Sequence, residues 1–228
     1  MNPLSNILIK PNVITQKGIN FFVDYIKSQK QSDLEIFDAK TSNVQNKNIK
    51  NPTWKTDKSV RDTQTVSIDS ILPQTHDLLK NVVTNIINPF YNIEIHDSEI
   101  PQLLVYNVGG HYNPHIDGES PWTNPDKSVI WRKIADRDLS VILYLNDDFE
   151  GGDLIFPDLH IHIKPKPGLL VTFPSTHLYR HGVTSISKGK RYAIITWMTI
   201  KGFPTVKDQE EEFSKKFNID LTLPPIYK

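Results

Sequence analysis

The sequence predicts an α+β protein built on a jelly-roll β-core, with supporting N-terminal helices packed outside the sheet. From residue 102 onward, short apolar runs alternate with Gly, Pro and Asn turns, which is typical of an antiparallel sandwich or barrel. Before that point, two segments repeat apolar residues every three or four positions, as amphipathic helices do. The chain has 228 residues, 38% of them hydrophobic, so it can bury a substantial core.

The first predicted helix spans residues 15–30. Ile19, Phe22 and Ile26 recur at helical spacing and would form its apolar face. Thr15 stands at the expected N-cap, where its hydroxyl can accept a hydrogen bond from a free backbone N–H of the first turn.

The second predicted helix spans residues 73–88, with Pro73 near its start and Pro89 as its end. Between the two helices, residues 40–63 are polar and are predicted to form a long irregular loop. Residues 64–70 alternate as a strand does.

Eight short strands are predicted after the second helix. They cover residues 103–106, 112–116, 139–145, 153–156, 161–163, 169–173, 180–183 and 191–198. Eight strands separated by turns correspond to a jelly roll. We therefore expect residues 1–100 to form a supporting region of the same domain, residues 101–200 the jelly-roll core, and residues 201–228 a C-terminal extension.

Composition excludes several functional classes. The 26 basic residues balance the 26 acidic ones, so no nucleic-acid or membrane partner is expected. The chain has no cysteine, which excludes disulfides, thiolate metal sites and cysteine nucleophiles. No signal pattern and no run of about 18 apolar residues is present, so we expect a soluble, cytoplasmic protein.

A His–x–Asp motif is the main sign of chemistry. His115 and Asp117 are two residues apart on a predicted strand, so their side chains point to the same face. His181 lies on another predicted strand of the same core. Two imidazoles and one carboxylate form the facial triad that holds non-haem Fe(II) and leaves open positions. The simpler interpretation is an exposed His and Asp on one strand and a turn histidine on the other.

Arg191 opens a strand that is otherwise apolar. A buried guanidinium needs a partner, and a carboxylate matches its planar fork. The partner is either a carboxylate ligand or one of the acidic residues of the chain.

Other histidine pairs are weaker candidates. His160 and His162 also have strand spacing, but no acidic third ligand follows them, and a solvated sheet edge is the preferred interpretation. A cupin-like module that binds metal without turnover is the alternative from a different class. Cupins usually carry a glutamate between their histidines, and none stands correctly placed here.

Several motifs occur in a fixed order between Gln102 and Met198. They are Tyr106, residues 114–117, 141–157, 164–168, 173–174, 181–183 and 191–197. In this order and spacing the stretch resembles the catalytic core of the 2-oxoglutarate- and Fe(II)-dependent dioxygenases. Within them it is most similar to the prolyl 4-hydroxylase group, which includes the hydroxylases that act on hypoxia-inducible factor. The resemblance implies a double-stranded β-helix, the jelly roll of this family.

The resemblance also implies a set of ligands. Iron would bind His115, Asp117 and His181, with no catalytic side chain beyond the metal centre. The far carboxylate of 2-oxoglutarate would bind Arg191, ten positions after His181. Lys190 is the weaker candidate because it points to the other face of the strand.

Two tyrosines complete the implied cofactor site. Tyr144 would donate a hydrogen bond to the same far carboxylate, and Tyr106 would line the pocket. The implied reaction uses Fe(II), 2-oxoglutarate and O₂ to hydroxylate a peptidyl-proline, and it releases succinate and CO₂. L-ascorbate is the reductant that the family uses. A carboxylate at Asp117 favours hydroxylation, because related halogenases lack it.

The expected partner is a peptide or protein that contains proline. Residues 43–62 and 118–138 are candidates for segments that close over it. Trp122, Trp131 and Arg132 offer planar groups that suit a prolyl ring. The alternative is that these side chains only pack the segment onto the barrel. Hydroxylation of another residue or of a small molecule is the second enzymatic hypothesis, and an intact triad disfavours a catalytically dead sensor.

Overall fold

A computed structural model describes residues 7–29 and 57–217, together with the backbone of residues 37–38, 41–42 and 54–55. Its strands are, in chain order, β1 (Leu8–Lys10), β2 (Phe37–Asp38), β3 (Thr41–Ser42), β4 (Trp54–Lys55), β5 (Arg61–Asp62), β6 (Gln64–Val66), β7 (Ile95–Ser98), β8 (Gln102–Tyr106), β9 (His111–His115), β10 (Glu119–Thr123), β11 (Val129–Lys133), β12 (Leu139–Tyr144), β13 (Glu150–Gly151), β14 (Leu154–Phe156), β15 (Ile161–Ile163), β16 (Leu170–Pro174), β17 (His181–Val183), β18 (Ile186–Lys188) and β19 (Arg191–Ile200). The helices are α1 (Gln16–Ser28), α2 (Leu72–Val82), α3 (Asn88–Tyr91) and α4 (Val206–Phe217), with a π-helical turn at Val83–Ile87 and 3-10 turns at Asp69–Ile71, Pro157–Leu159 and His177–Tyr179.

Two antiparallel sheets form the core. The large sheet has the order β1-β16-β12-β19-β8-β6-β2, and β7 also pairs with β19. The small sheet has the order β15-β14-β17-β9-β5. Their facing sides share a buried cluster that contains Ile142 and Tyr144 from the large sheet and Leu154 and Phe156 from the small one. This arrangement confirms the predicted jelly roll.

All eight predicted strands are present, with ends shifted by one or two residues. The strand pattern was strong because most of these strands bury at least one face, although β9 has no fully buried residue. The shorter pairs β13–β18 and β3–β4 were not predicted, because two or three residues are too few to show a period.

The N-terminal helices α1 and α2 pack on the outer face of the large sheet, as predicted. Phe22 and Ile26 of α1 lie in one buried cluster with Leu103, Leu143 and Ile194. Farther along the same face, α2 and the π-helical turn pack on the ends of β12 and β19. The inner face of the large sheet is thereby left to the small sheet.

The start of the first helix was predicted correctly, and the end of the second was not. Thr15 caps α1, and its hydroxyl accepts a hydrogen bond from the Gly18 N–H. The prediction that Pro89 ends the second helix is wrong, because helical backbone continues to Tyr91. The π-helical turn shifts the hydrogen-bond register just before Pro89 and places it in the first turn of α3, where a missing N–H is tolerated. Asn92, with φ of 53°, ends the helix instead.

The non-core segments contain more structure than the sequence indicated. Residues 118–138 hold a regular hairpin in which β10 pairs with β11. The strand predicted at 64–70 stops at Val66 and is followed by a 3-10 turn. Part of the loop predicted at 40–63 lies outside the described residues, but its last residues form β5, which joins the small sheet.

In the part of the chain that the structure describes, no helix combines the length and the apolar character needed to cross a membrane.

The contact between α1 and the large sheet gives a stability prediction. Leu143 is fully buried between β19 and β16 beneath α1. Leu143→Ala should lower the free energy of unfolding by about 2–5 kcal/mol, because a cavity remains under the helix. Urea unfolding measures this loss. Ile100→Ala, at an exposed position, should change it by less than about 0.5 kcal/mol, and equal effects of the two variants would contradict the packing described.

Candidate metal centre and its cavity

Adjacent strands of the small sheet bring the candidate ligands together. β9 pairs with β17 so that His115 lies directly opposite His181. Asp117 follows just beyond the end of β9. One of its carboxylate oxygens lies 3.3 Å from the His115 Nε2, and the other lies 3.4 Å from the His181 Nε2. One ligand atom from each residue lies within 4.8 Å of the others. This is a compact set of two imidazoles and one carboxylate, the donor set that suits Fe(II).

The backbone orients both imidazole rings. The Nδ1 of His115 lies 2.9 Å from the Asn113 carbonyl, and the Nδ1 of His181 lies 3.0 Å from the Tyr179 carbonyl. Because a carbonyl only accepts hydrogen bonds, each Nδ1 carries the proton. The Nε2 lone pairs therefore face Asp117 and are free to bind a cation.

Aromatic side chains hold the rings in place. Tyr112 stacks on His115 with ring centroids 3.5 Å apart. Phe173 packs edge-on against His181 with centroids 4.6 Å apart. Both imidazoles are thus fixed by one hydrogen bond and one ring contact.

Two serine hydroxyls orient the carboxylate. Ser140 donates a hydrogen bond of 2.6 Å to one oxygen of Asp117, and its own oxygen lies 2.8 Å from the Ser175 hydroxyl. Neither serine was singled out in the sequence, because a polar residue inside a buried strand has no motif. The only sign of Ser140 in the sequence is that a serine stands within an apolar strand, at a position that faces the interior.

Arg137 holds the backbone of the same ligand. Its guanidinium donates to the Asp117 carbonyl at 3.3 Å and forms a two-pronged ion pair with Glu99. It also lies 3.8 Å above the ring of Trp197. The backbone and the carboxylate of Asp117 are therefore anchored independently.

Electrostatics favour a charged carboxylate beside a neutral imidazole. Burial alone would raise the pKa of Asp117, yet the two imidazoles and the Ser140 hydroxyl hold it well below its usual range. Burial lowers the pKa of His181 to about 4, although the Asp117 carboxylate opposes this shift. At neutral pH the site therefore presents one negative charge and the free lone pair of His181.

Arg191 lies on the inner face of the large sheet with 2% of its surface exposed. Among the described residues Arg191 has no carboxylate partner, its Nε has no acceptor, and the O–H of Tyr144 has none either. Its guanidinium is 4.7 Å from the ring of Tyr106 and 5.0 Å from that of Tyr144. Burial raises the pKa of Tyr144, against the charge of Arg191, so its hydroxyl stays a donor. These orphaned donors fit a carboxylate ligand.

One cavity, open to solvent, is lined by the three candidate metal ligands, Tyr106, Ser140 and Arg191. Tyr144 contacts Arg191 from outside this lining. Arg61 and Trp197 also line the cavity, and the sequence did not indicate either residue. Arg61 was missed because it lies at the end of a polar segment without periodicity.

The candidate substrate residues lie on the β10–β11 hairpin, outside the residues that line this cavity. The guanidinium of Arg132 lies 5.0 Å from the ring of Trp122 and 4.7 Å from Phe213 of α4. Trp131 faces the other way and stacks on His177 at 4.5 Å, with 40% of its surface exposed. Two of the three side chains therefore pack α4 against the hairpin.

The alternative histidine pair lies apart from the candidate ligands. His160 and His162 are exposed beside the edge of the small sheet. Within the described ranges, the His115–Asp117–His181 set is the one group of three that could hold a metal ion.

Comparison with known proteins identifies the class. Residues 101–199 match the sequence model of the 2OG-Fe(II) oxygenase superfamily, and they contain the triad and Arg191. This part of the chain is similar to that superfamily, and prolyl hydroxylases are among the proteins that it matches in sequence.

Three relatives define this likeness. Human prolyl 3-hydroxylase 2 is 39% identical over 93 residues, which are 37% of this chain and 13% of the human protein. A putative prolyl 4-hydroxylase of Acanthamoeba polyphaga mimivirus is 27% identical over 156 residues, 65% of this chain and 62% of the viral one. The structure of a collagen prolyl hydroxylase from Paramecium Bursaria Chlorella virus-1, in complex with 2OG, has a TM-score of 0.57 at 16% identity. The match covers 85% of this chain and 95% of the viral one.

The hydrogen bond from Ser140 to Asp117 gives a prediction about metal affinity. Ser140→Ala should weaken Fe(II) binding about 10- to 100-fold, because the carboxylate loses the donor that fixes its orientation. Anaerobic titration with Fe(II) measures the affinity. Ser28→Ala, at an exposed position on α1, should leave it unchanged, and an unchanged affinity in Ser140→Ala would refute the orienting role.

Proposed function

We propose that this chain is an Fe(II)- and 2-oxoglutarate-dependent dioxygenase that hydroxylates a peptidyl-proline. The observation that carries the proposal is the meeting of a His–Asp–His set and an unpaired buried Arg191 in one cavity. The first suits a ferrous ion, and the second suits the free carboxylate of a dicarboxylic acid.

His115, Asp117 and His181 would hold the metal. When bound, Fe(II) and 2-oxoglutarate supply the chemistry that activates O₂ for hydroxylation, with release of succinate and CO₂. The chain would contribute three ligands and leave the other coordination positions of the ion for the ligands that react. Hydrogen bonds fix both imidazoles and the carboxylate, and all three residues line the cavity.

Arg191 and Tyr144 would hold the far carboxylate of 2-oxoglutarate, and Tyr106 would form the adjacent wall. Arg191 and Tyr106 lie directly opposite each other on β19 and β8. A dicarboxylate held by the metal at one end and by Arg191 at the other is restricted to one orientation. The buried aromatic walls exclude water from this end of the cavity.

The substrate assignment rests on the relatives. Their names include prolyl 3-hydroxylases and a prolyl 4-hydroxylase, so the position of hydroxylation is open between C3 and C4 of the ring. Trp131, half-exposed on the hairpin, is the best placed of the predicted contact residues, whereas Trp122 and Arg132 are engaged with α4. L-ascorbate remains the expected reductant and is tested by adding and omitting it.

Succinate formation tests the reaction. The protein is loaded with Fe(II) without oxygen, then given 2-oxoglutarate and O₂, with and without a proline-rich peptide. We expect succinate to rise with the peptide, and amino-acid analysis of the product then distinguishes 3- from 4-hydroxyproline. His181→Ala should lose both iron and succinate, and His160→Ala should retain both.

Each other outcome has a distinct meaning. Succinate formed at the same slow rate with and without the peptide would retain the oxygenase and reject the prolyl substrate, in favour of another residue or a small molecule. Bound metal without any succinate would favour a cupin-like module. Loss of iron in His160→Ala would show that the ligands were chosen wrongly.

Arg191→Ala should raise the KM for 2-oxoglutarate about 10- to 100-fold, because a charge-assisted two-pronged contact is lost. Iron affinity should be unchanged, since Arg191 is not a ligand. Lys190→Ala is the matched control, because Lys190 is the exposed neighbour in sequence, and it should keep the normal KM. A normal KM in Arg191→Ala would refute the assignment.

A further inference from the structure

Arg61 is a second buried cation that lacks an ion-pair partner among the described residues. It lies on β5, paired with Tyr112 of β9, and 8% of its surface is exposed. Its Nε has no hydrogen-bond partner, and it forms no ion pair with a residue that the structure describes. Its guanidinium lies 4.6 Å from the centroid of the Tyr112 ring, which compensates only part of the charge.

The position of Arg61 relates it to the metal centre. The ring of Tyr112 contacts the guanidinium of Arg61 and also stacks on the ring of His115, with 3.5 Å between the ring centroids. The distance from the guanidinium to the centroid of the His115 ring is therefore at most the sum of these two distances. Arg61 also lines the same cavity as the candidate ligands and Arg191. A group bound by Arg61 would lie close to the reacting centre.

Charge balance indicates what this group is. Among the described residues, the charged side chains that line the cavity, apart from the imidazoles, are Arg61, Asp117 and Arg191. If the proposed function is correct, Fe(II) adds two positive charges and 2-oxoglutarate adds two negative ones. Asp117 and 2-oxoglutarate then balance the ion and Arg191, and the charge of Arg61 is left over. An uncompensated buried charge is unfavourable, so its compensation falls to the remaining occupant, the substrate.

We infer that Arg61 selects a substrate that carries a carboxylate next to the target residue. A peptide carbonyl could accept a hydrogen bond from Arg61, but it would leave the positive charge unbalanced. A carboxylate satisfies the orphaned donor and the charge together, and its two oxygens match the guanidinium fork. This carboxylate comes either from the C-terminus of a peptide or from an acidic side chain beside the proline.

Peptide binding under anaerobic conditions tests this inference without turnover. The full chain, loaded with Fe(II) and 2-oxoglutarate, is titrated with two matched pairs of proline-rich peptides. One pair ends at the proline as a free acid or an amide. The other pair is amidated and carries Glu or Gln beside the proline. Calorimetry gives each Kd, and the two pairs distinguish the two sources of the carboxylate.

The native protein should bind the acidic member of at least one pair about tenfold or more tightly than its neutral partner. In Arg61→Gln this ratio should fall to near one, while the affinities for Fe(II) and 2-oxoglutarate remain normal and show that the site is folded. Arg61→Lys, which keeps the charge and loses the fork, should retain part of the preference. Lys58→Gln removes a nearby exposed charge and should retain all of it.

Equal binding of acidic and neutral peptides by the native protein would overturn the inference, as would a preference that persists in Arg61→Gln. If neither peptide pair binds while Fe(II) and 2-oxoglutarate do, the prolyl substrate fails together with the inference. If Fe(II) and 2-oxoglutarate do not bind, the proposed function itself fails.

Discussion

The pairing of β9 with β17 is the constraint on which the rest of the site depends. It places His115 opposite His181, and a slip of one residue would turn one imidazole to the other face of the sheet. The register is irregular within this short pairing, near Pro114, which has no N–H to donate. Gly182 faces this bulge, and any side chain there would meet the backbone of Tyr112 and Pro114. The register is thus held by a proline and a glycine that have no chemical role of their own.

The cavity retains polar groups that are buried without a hydrogen-bond partner. Arg61 and Arg191 line it, and the hydroxyl of Tyr144 beside Arg191 is also unpaired, within a protein whose other large buried side chains are almost all apolar. Such groups lower the stability of the folded state. The apolar layer between the large sheet and the outer helices offsets that loss, because it is remote from the site and free to pack tightly. Stability and chemistry are therefore assigned to opposite faces of one sheet.

That His115, Asp117 and His181 lie close together could be expected from the sequence, because the first two are spaced as on a strand, and the burial of Arg191 could be expected because it leads an apolar run. Their roles as ligands stay predictions. The core strands were predicted from the same kind of periodic pattern. Ser140 and Arg61 could not be found in this way, since neither belongs to a periodic pattern and each acquires its role from residues distant in sequence. The continuation past Pro89 was missed because a π-helical turn depends on packing and leaves no local signature.

The hydrogen bonds from the two imidazole Nδ1 atoms to backbone carbonyls have a kinetic consequence. Each ring is tied to a carbonyl two residues before it in its own chain segment, so its rotamer is selected when the strand forms. The two imidazole side chains therefore lose their conformational entropy when the polypeptide folds, and not when an ion binds. A cation that binds the two Nε2 atoms would therefore not have to wait for either ring to reorient.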